Sequence, residues 1–153
     1  MDTERRRMTR RRLLTVGLGG TGAAMAWTGG VEAAEPTAEE KANVKVVVDF
    51  CKAWEAHDLA RLTPFIGDEC AIRWSEKGQW ITGREAVIAR IKQLLDTSER
   101  VELEVVETYP KGPLVLNERI DRTTRQGRVN GHRLSGIFYV KAGKILEWSD
   151  YAM

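Results

Sequence analysis

The sequence predicts an α+β domain, with helices gathered in its first half and antiparallel strands in its second. Three observations predict it. Between Val44 and Leu95 apolar residues recur three and four apart, which is the helical period. After Glu99 the period falls to two, with Val101, Leu103 and Val105 alternating with acids, as on a half-buried strand. Glycine-bearing turns then divide the remainder into alternating runs of strand length.

Pro36 and Thr37 precede an acidic first turn, Glu39 and Glu40, the pattern of a helix start. Val44, Val47, Val48, Cys51 and Trp54, with Phe50 alongside, describe an amphipathic helix ending near His57-Asp58. His57 reads as a positive charge at that helix's C-terminus. A short second helix is expected from Leu59 to Phe65, with Leu62, Phe65 and Ile66 turned inward. Gly67-Asp68 reads as a turn. Cys70 to Trp74 reads as a strand, with Ala71 and Arg73 on one face and Cys70, Ile72 and Trp74 on the other. Lys77-Gly78 is a further turn, and Thr82-Gly83 opens a third helix whose stripe is Val87, Ile88, Ile91, Leu94 and Leu95.

Beyond the first alternating strand, Lys111-Gly112-Pro113 punctuates the chain. Leu114 to Thr123 is a second long strand, and Gln126-Gly127 with Asn130-Gly131 marks a hairpin connection. Leu134 to Val140 is a third strand. Ala142-Gly143 turns it into a fourth, Ile145 to Tyr151. A sheet of this kind, curled around its helices, leaves a cavity between them.

The first 33 residues read as an address. Six arginines crowd the first dozen positions, and an apolar Gly/Ala-rich stretch runs from Leu13 to about Trp27. Small residues follow at Ala33 and Ala34, completing the order of a signal peptide. The apolar stretch is short for a bilayer core of ~30 Å, which needs ~20 apolar residues; the alternative is an uncleaved N-terminal anchor helix. Thr9-Arg10-Arg11-Arg12-Leu13-Leu14 matches the twin-arginine export motif. Residues 1–33 are therefore expected to be removed, with cleavage after Ala33, and residues 34–153 to form the domain. The expected location is periplasmic or secreted, with no membrane contact after cleavage.

That segment carries six of the chain's 24 basic residues and three of its 22 acidic ones. The remainder holds 18 basic and 19 acidic residues, a net charge of −1. A near-neutral domain without a basic run lacks the electrostatic footprint of a nucleic-acid binder. Two cysteines, Cys51 and Cys70, fall in a helical and a strand pattern. They read as buried free thiols, although an oxidising compartment permits a disulfide. Neither has the spacing of a metal site.

Three stretches carry a family likeness: Asn117-Glu118-Arg119-Ile120-Asp121, Gly136-Ile137-Phe138-Tyr139-Val140, and Gly143-Lys144-Ile145-Leu146-Glu147-Trp148-Ser149-Asp150-Tyr151. In that order and spacing they resemble the E-R-x-D, G-x-F and G-K-I-x-x-W-x-D-Y pattern of the limonene-1,2-epoxide hydrolase family. That family belongs to the SnoaL-like, nuclear-transport-factor-like superfamily, which also holds ketosteroid isomerase and the polyketide cyclases. The resemblance implies a cone: a curved antiparallel or mixed sheet packed on about three N-terminal helices around a central cavity. It also implies an Asp-Arg-Asp constellation, with Asp150 as general base, Asp121 as general acid and Arg119 between them. The implied reaction is one-step addition of water to an epoxide-like small hydrophobic substrate, with no covalent intermediate, metal or cofactor. By the same analogy the protein is a homodimer assembled through its sheet.

The residues themselves are compatible with this site. Asn117, Arg119 and Asp121 are two apart on a strand and share a face, while Leu116 and Ile120 take the other. A polar row on a sheet's concave side is costly without partners, and Asp150 beside Trp148 is a candidate partner. The same row would also suit a solvent-facing edge or a buried ion pair that serves specificity only. The family holds its reactive water with a Tyr and an Asn on the first strand; here the corresponding positions are Ala71 and Arg73. Arg73 has donors but no acceptor, so this departure favours a different substrate or no hydrolysis; Arg73 equally reads as a surface arginine on an edge strand. His132, alternating with Leu134, Gly136 and Phe138, either faces the cavity, where its titration near neutral pH suits acid–base work, or ends a hairpin in solvent. Trp54, Leu134 and Trp148 are candidate cavity walls, with Cys51, Leu95 and Phe138. Two other readings stand beside hydrolysis. One is a proton-shuttling isomerase or cyclase that uses no water. The other is a non-catalytic module binding a small hydrophobic ligand.

Overall fold

Thr37 starts the first helix, α1 (Ala38–Ala53), with a reciprocal cap. Its hydroxyl accepts from the Glu40 amide at 3.1 Å, and the Glu40 carboxylate accepts from the Thr37 amide at 2.8 Å, satisfying two backbone donors that helix geometry leaves unpaired. In the computed structural model, which describes residues 35–153, α1 buries Val47, Phe50 and Cys51. The expected export signal over residues 1–33 lies outside the described residues. A 3-10 turn (Trp54–Ala56) continues the helix to His57, whose φ of 51° ends it in the left-handed conformation. Asp58 caps a single turn, α2 (Leu59–Leu62), which runs into a second 3-10 turn (Thr63–Phe65). Leu62 and Ile66 are buried as expected, and Phe65 packs against the core from a partly exposed position. The last helix, α3 (Arg84–Asp96), buries Val87, Ile91 and Leu95.

Six strands form one mixed sheet: β1 (Ile66–Arg73), β2 (Ile81–Thr82), β3 (Arg100–Lys111), β4 (Leu114–Arg125), β5 (Arg128–Lys141) and β6 (Lys144–Ala152). Their order is β2-β1-β6-β5-β4-β3. Only the β1–β6 pair is parallel. Helices before a curved sheet give the α+β class that the sequence predicts.

Four details differ from the sequence reading. Gly67-Asp68 is not a turn, because β1 runs straight through it from Ile66. A Cβ on Gly67 would collide with the Leu146 side chain, so this glycine serves close packing against β6, where the register shifts between Ile66 and Ala71. Asn130-Gly131 also lies inside a strand, paired with Thr123 and Arg122. The reversal is made by Gln126-Gly127 alone, at φ 50° and 69°, the positive-φ pair that two-residue hairpins need. β3 continues past Pro110, which is tolerated because β3 is an edge strand and has an outward side with no ladder to break. The two-residue β2 was not foreseen.

The core lies between the helices and the concave face of the sheet. Phe50 meets Trp54, Phe65, Phe138 and Trp148 edge-on, with centroids 5.3–6.4 Å apart. Phe138 and Trp148 stack nearly parallel at 5.5 Å. Cys51 and Cys70 are both buried and free.

Candidate active site

Strand register assembles the site. Asn117, Arg119 and Asp121 on β4 stand opposite Gly136, Leu134 and His132 on β5, and Gly136 in turn stands opposite Asp150 on β6. Paired residues share a face, so the row runs along β4 on the concave surface, with Asp150 two strands away at the level of Asn117. Arg119 is fully buried. Its Nε and Nη2 donate to the two oxygens of Asp121 at 2.8 and 3.2 Å, and its Nη1 donates to Asn117 Oδ1 at 3.1 Å. Nη2 also lies 2.7 Å from Asp150 Oδ1. The guanidinium rests near two aromatic rings, 5.3 Å from the Trp148 centroid and 5.7 Å from that of Phe138, within cation–π range. A buried arginine is costly unless its donors are met; here three acceptor side chains meet them.

The sequence supplies the space for this through Gly136. A Cβ there would overlap Arg119 Nη1 and approach Asn117 Oδ1 at 2.7 Å and Phe138 at 2.9 Å.

The two carboxylates are not equivalent. Asp121 holds Arg119 through both oxygens and keeps 22% of its side-chain surface exposed. Asp150 is 6% exposed and uses Oδ1 for both Arg119 and the Trp148 indole N–H, which donates at 2.6 Å. Among the described residues nothing hydrogen-bonds its Oδ2. Burial pushes both carboxyls above the usual range for aspartate, and Arg119 opposes that rise in both. Burial likewise works against the Arg119 charge, but Asp150 and Asp121 more than restore it, so its pKa is raised. The set therefore has a fixed cation and two acids whose burial raises their pKa above the usual carboxylate range.

Above this row is a cavity of about 750 Å³. Trp54, Trp74, Trp148, Leu103 and Leu134 supply apolar wall, and Asp121, Asp150, His132 and Arg133 are the titratable groups that the sheet contributes. Glu76 and Lys77, from the β1–β2 connection, also line it. Among the described residues no cluster of three His, Cys, Asp or Glu side chains could hold a metal ion.

Of the residues singled out from sequence, Trp54, Asp121, His132, Leu134, Trp148 and Asp150 line this cavity. Asn117 does not: it stands behind Arg119, and its amide donates to Cys51 Sγ at 3.7 Å. Ala71 and Arg73 require correction. In the parallel β1–β6 pair Ile72 aligns with Trp148, whereas Ala71 and Arg73 align with Glu147 and Ser149. The inward face of β1 therefore carries Ile72, which is fully buried, and Trp74, which lines the cavity. Arg73 points to the other face, where its Nη2 donates to the Tyr151 hydroxyl at 2.7 Å and its guanidinium lies 4.8 Å from the Trp80 ring. Trp74 is one wall residue the sequence reading missed. Its signal was present: Cys70, Ile72 and Trp74 are the apolar set of that strand, and the apolar set takes the inside.

A family model, the limonene-1,2-epoxide hydrolase catalytic domain, matches residues 41–152. Among solved structures the chain is similar to an LEH-like epoxide hydrolase of M. tuberculosis, at 21% identity and TM-score 0.69, over 75% of this chain and 85% of that one. A SnoaL-like protein of Jannaschia sp. superposes with TM-score 0.65 at 18% identity, over 76% of this chain and 89% of that one. A Catenulispora acidiphila protein of ketosteroid isomerase-like fold, solved with trimethylamine, superposes with TM-score 0.63 at 17% identity, over 70% and 84%. No curated protein matches the chain.

Proposed function

From the premise that the chain belongs to the limonene-1,2-epoxide hydrolase family, we propose that it is a cofactor-independent hydrolase that adds water to a small hydrophobic epoxide. The observation that carries this reading is Arg119 joined to both Asp121 and Asp150 at the base of an aromatic cavity.

Asp150 Oδ2 accepts a proton from water as the water oxygen attacks an epoxide carbon. The C–O bond of the ring breaks, and its oxygen takes a proton from Asp121. The product is a diol, and the net internal change is one proton moved from Asp121 to Asp150. Arg119 fixes both carboxylates and offsets the charge that passes between them. The raised pKa of each acid suits the exchange, since a catalytic acid or base works best near the ambient pH. The aromatic walls suit a hydrophobic substrate.

Location and assembly complete the proposal. The twin-arginine segment directs residues 34–153 to the periplasm or the exterior. The outer face of the sheet, remote from the cavity, is the surface through which two copies would pair.

The test is diol formation from a panel of small epoxides in ¹⁸O-labelled water. Incorporation of one ¹⁸O per diol is the expected result, and absence of diol across the panel contradicts it. A second reading has an observation in its favour. Ile72 and Trp74, inward on β1, offer no acceptor to hold a water molecule. That favours a proton-shuttling isomerase or cyclase using Asp150 alone, or a small-ligand binding module. Either predicts binding of a hydrophobic ligand without ¹⁸O uptake.

A further inference from the structure

The hydrolysis proposed above leaves Asp121 ionised and Asp150 protonated, so each turnover must be followed by a reset. Asp150 is nearly sealed, at 6% exposure, and reaches water through the cavity it lines, whereas Asp121 keeps 22%. The proton that Asp121 needs must arrive from the cavity mouth.

One group is built into that position. His132 stands directly opposite Asp121 in the β4–β5 ladder. Directly opposed residues on an antiparallel pair share a face with Cβ atoms about 4.5–5.5 Å apart, a separation that one water can bridge between imidazole and carboxylate. His132 lines the same cavity and is itself exposed. It therefore meets solvent at the cavity and stands across the ladder from the acid.

We propose that His132 is the proton-relay residue for Asp121, carrying one proton from solvent to its carboxylate after each turnover; this rests on the hydrolase reading. In the step, the imidazolium N–H bond breaks and an O–H bond forms on Asp121. The neutral imidazole then takes a proton from water, leaving hydroxide, and Asp150, which lines the same cavity, gives the proton it gained to that hydroxide through the cavity water, so that water is re-formed. No electrons change hands and the site returns to its starting state.

The surroundings fit the role. The charges that share the cavity with His132 are Glu76 and Lys77 from the β1–β2 connection, Arg133 beside it, and Asp150 with Arg119 deeper in. Arg133 is paired with Glu118 at 3.0 Å, and Arg119 is committed to the two aspartates. On β3, Leu103 faces Asp121 from the other side and offers no proton. Burial raises the Asp121 carboxyl, Arg119 opposes that rise, and His132 adds a smaller pull in the same direction as Arg119.

The experiment compares wild type with His132→Gln, an exposed site where folding is not at stake. Three measurements are made: diol formation with a small epoxide, its dependence on imidazole concentration, and the ¹³C titration of the Asp121 carboxyl. A reset that follows product release limits kcat and not kcat/KM. The expected result is kcat lowered by roughly 10² with kcat/KM retained, and kcat restored as imidazole is added. The Asp121 midpoint should move upward in the variant. An unchanged kcat, or kcat and kcat/KM falling together without imidazole rescue, overturns the relay while leaving the hydrolase reading intact. An unmoved Asp121 midpoint also overturns it. No diol from wild type overturns the hydrolase reading and the relay as a step in it, and the carboxyl titration then still reports whether the pair is coupled.

Discussion

Gly136 lies directly beneath the guanidinium of Arg119, and the absence of its side chain is what lets that arginine lie flat across the sheet. The arrangement ties a motif on β5 to a charge on β4 and explains why the G-x-F and R-x-D stretches occur together.

Gly136→Ala should therefore disable the site. The added methyl meets Arg119, Asn117 and the Phe138 ring at once, and overpacking of a filled core costs about 1–3 kcal/mol. Thermal unfolding should show that loss, and diol formation should fall with it. A variant within about 0.5 kcal/mol of wild type, the range of an ordinary surface change, would contradict this packing.

Stability should depend on pH through Asp121 and Asp150. Burial raises both carboxyls above their unfolded values, against the pull of Arg119. A raised acid binds its proton more tightly when folded, so its contribution is present below the unfolded value of about 3.9 and is lost as pH rises through the folded value. Relative to the double variant Asp121→Asn with Asp150→Asn, wild type should lose unfolding free energy as pH rises from about 4. Denaturant titrations at a series of pH values measure the difference; a gain with rising pH would contradict the assignment.

Trp148→Phe removes the indole donor to Asp150 and keeps a ring to stack on Phe138. That donor favours the ionised carboxylate. A hydrogen bond to a charged group is worth about 1.5–3 kcal/mol, so the acid limb of the kcat/KM profile should move up by about one to two pH units. An unmoved limb would show that Trp148 does not tune the base.

The two faces of β1 should separate cleanly. Arg73→Asn alters an outward residue and should leave diol formation unchanged. Trp74→Asn places a polar group on the cavity wall and should raise it, at a cost in Tm from the lost aromatic packing. Equal effects of the two on rate would contradict the register.

Much of this was legible in the sequence. Helix and strand periods gave the α+β order, and the alternation of Asn117, Arg119 and Asp121 placed them on one face before any coordinates. The apolar set Cys70, Ile72 and Trp74 already pointed to the inward face of β1, and the likeness of Ala71 and Arg73 to the family's water-holding positions pulled the other way; pairing of Ile72 with Trp148 on β6 decides between them. The sequence reading misses the roles of Gly67 and Gly131 because a glycine needed for close packing or held within a ladder looks the same, locally, as one needed for a turn. The opposition of His132 and Asp121 was hidden as well, since it depends on the hairpin turning at Gln126-Gly127 and not at Asn130-Gly131.

The central claim is that Asp150 removes the proton from an attacking water. The measurement that tests it most directly is diol formation in ¹⁸O water by Asp150→Asn beside wild type, with unfolding followed in parallel. The account predicts a rate lowered by about 10²–10⁴ in a folded protein that still binds the epoxide. A folded Asp150→Asn protein that forms labelled diol at the wild-type rate would contradict it.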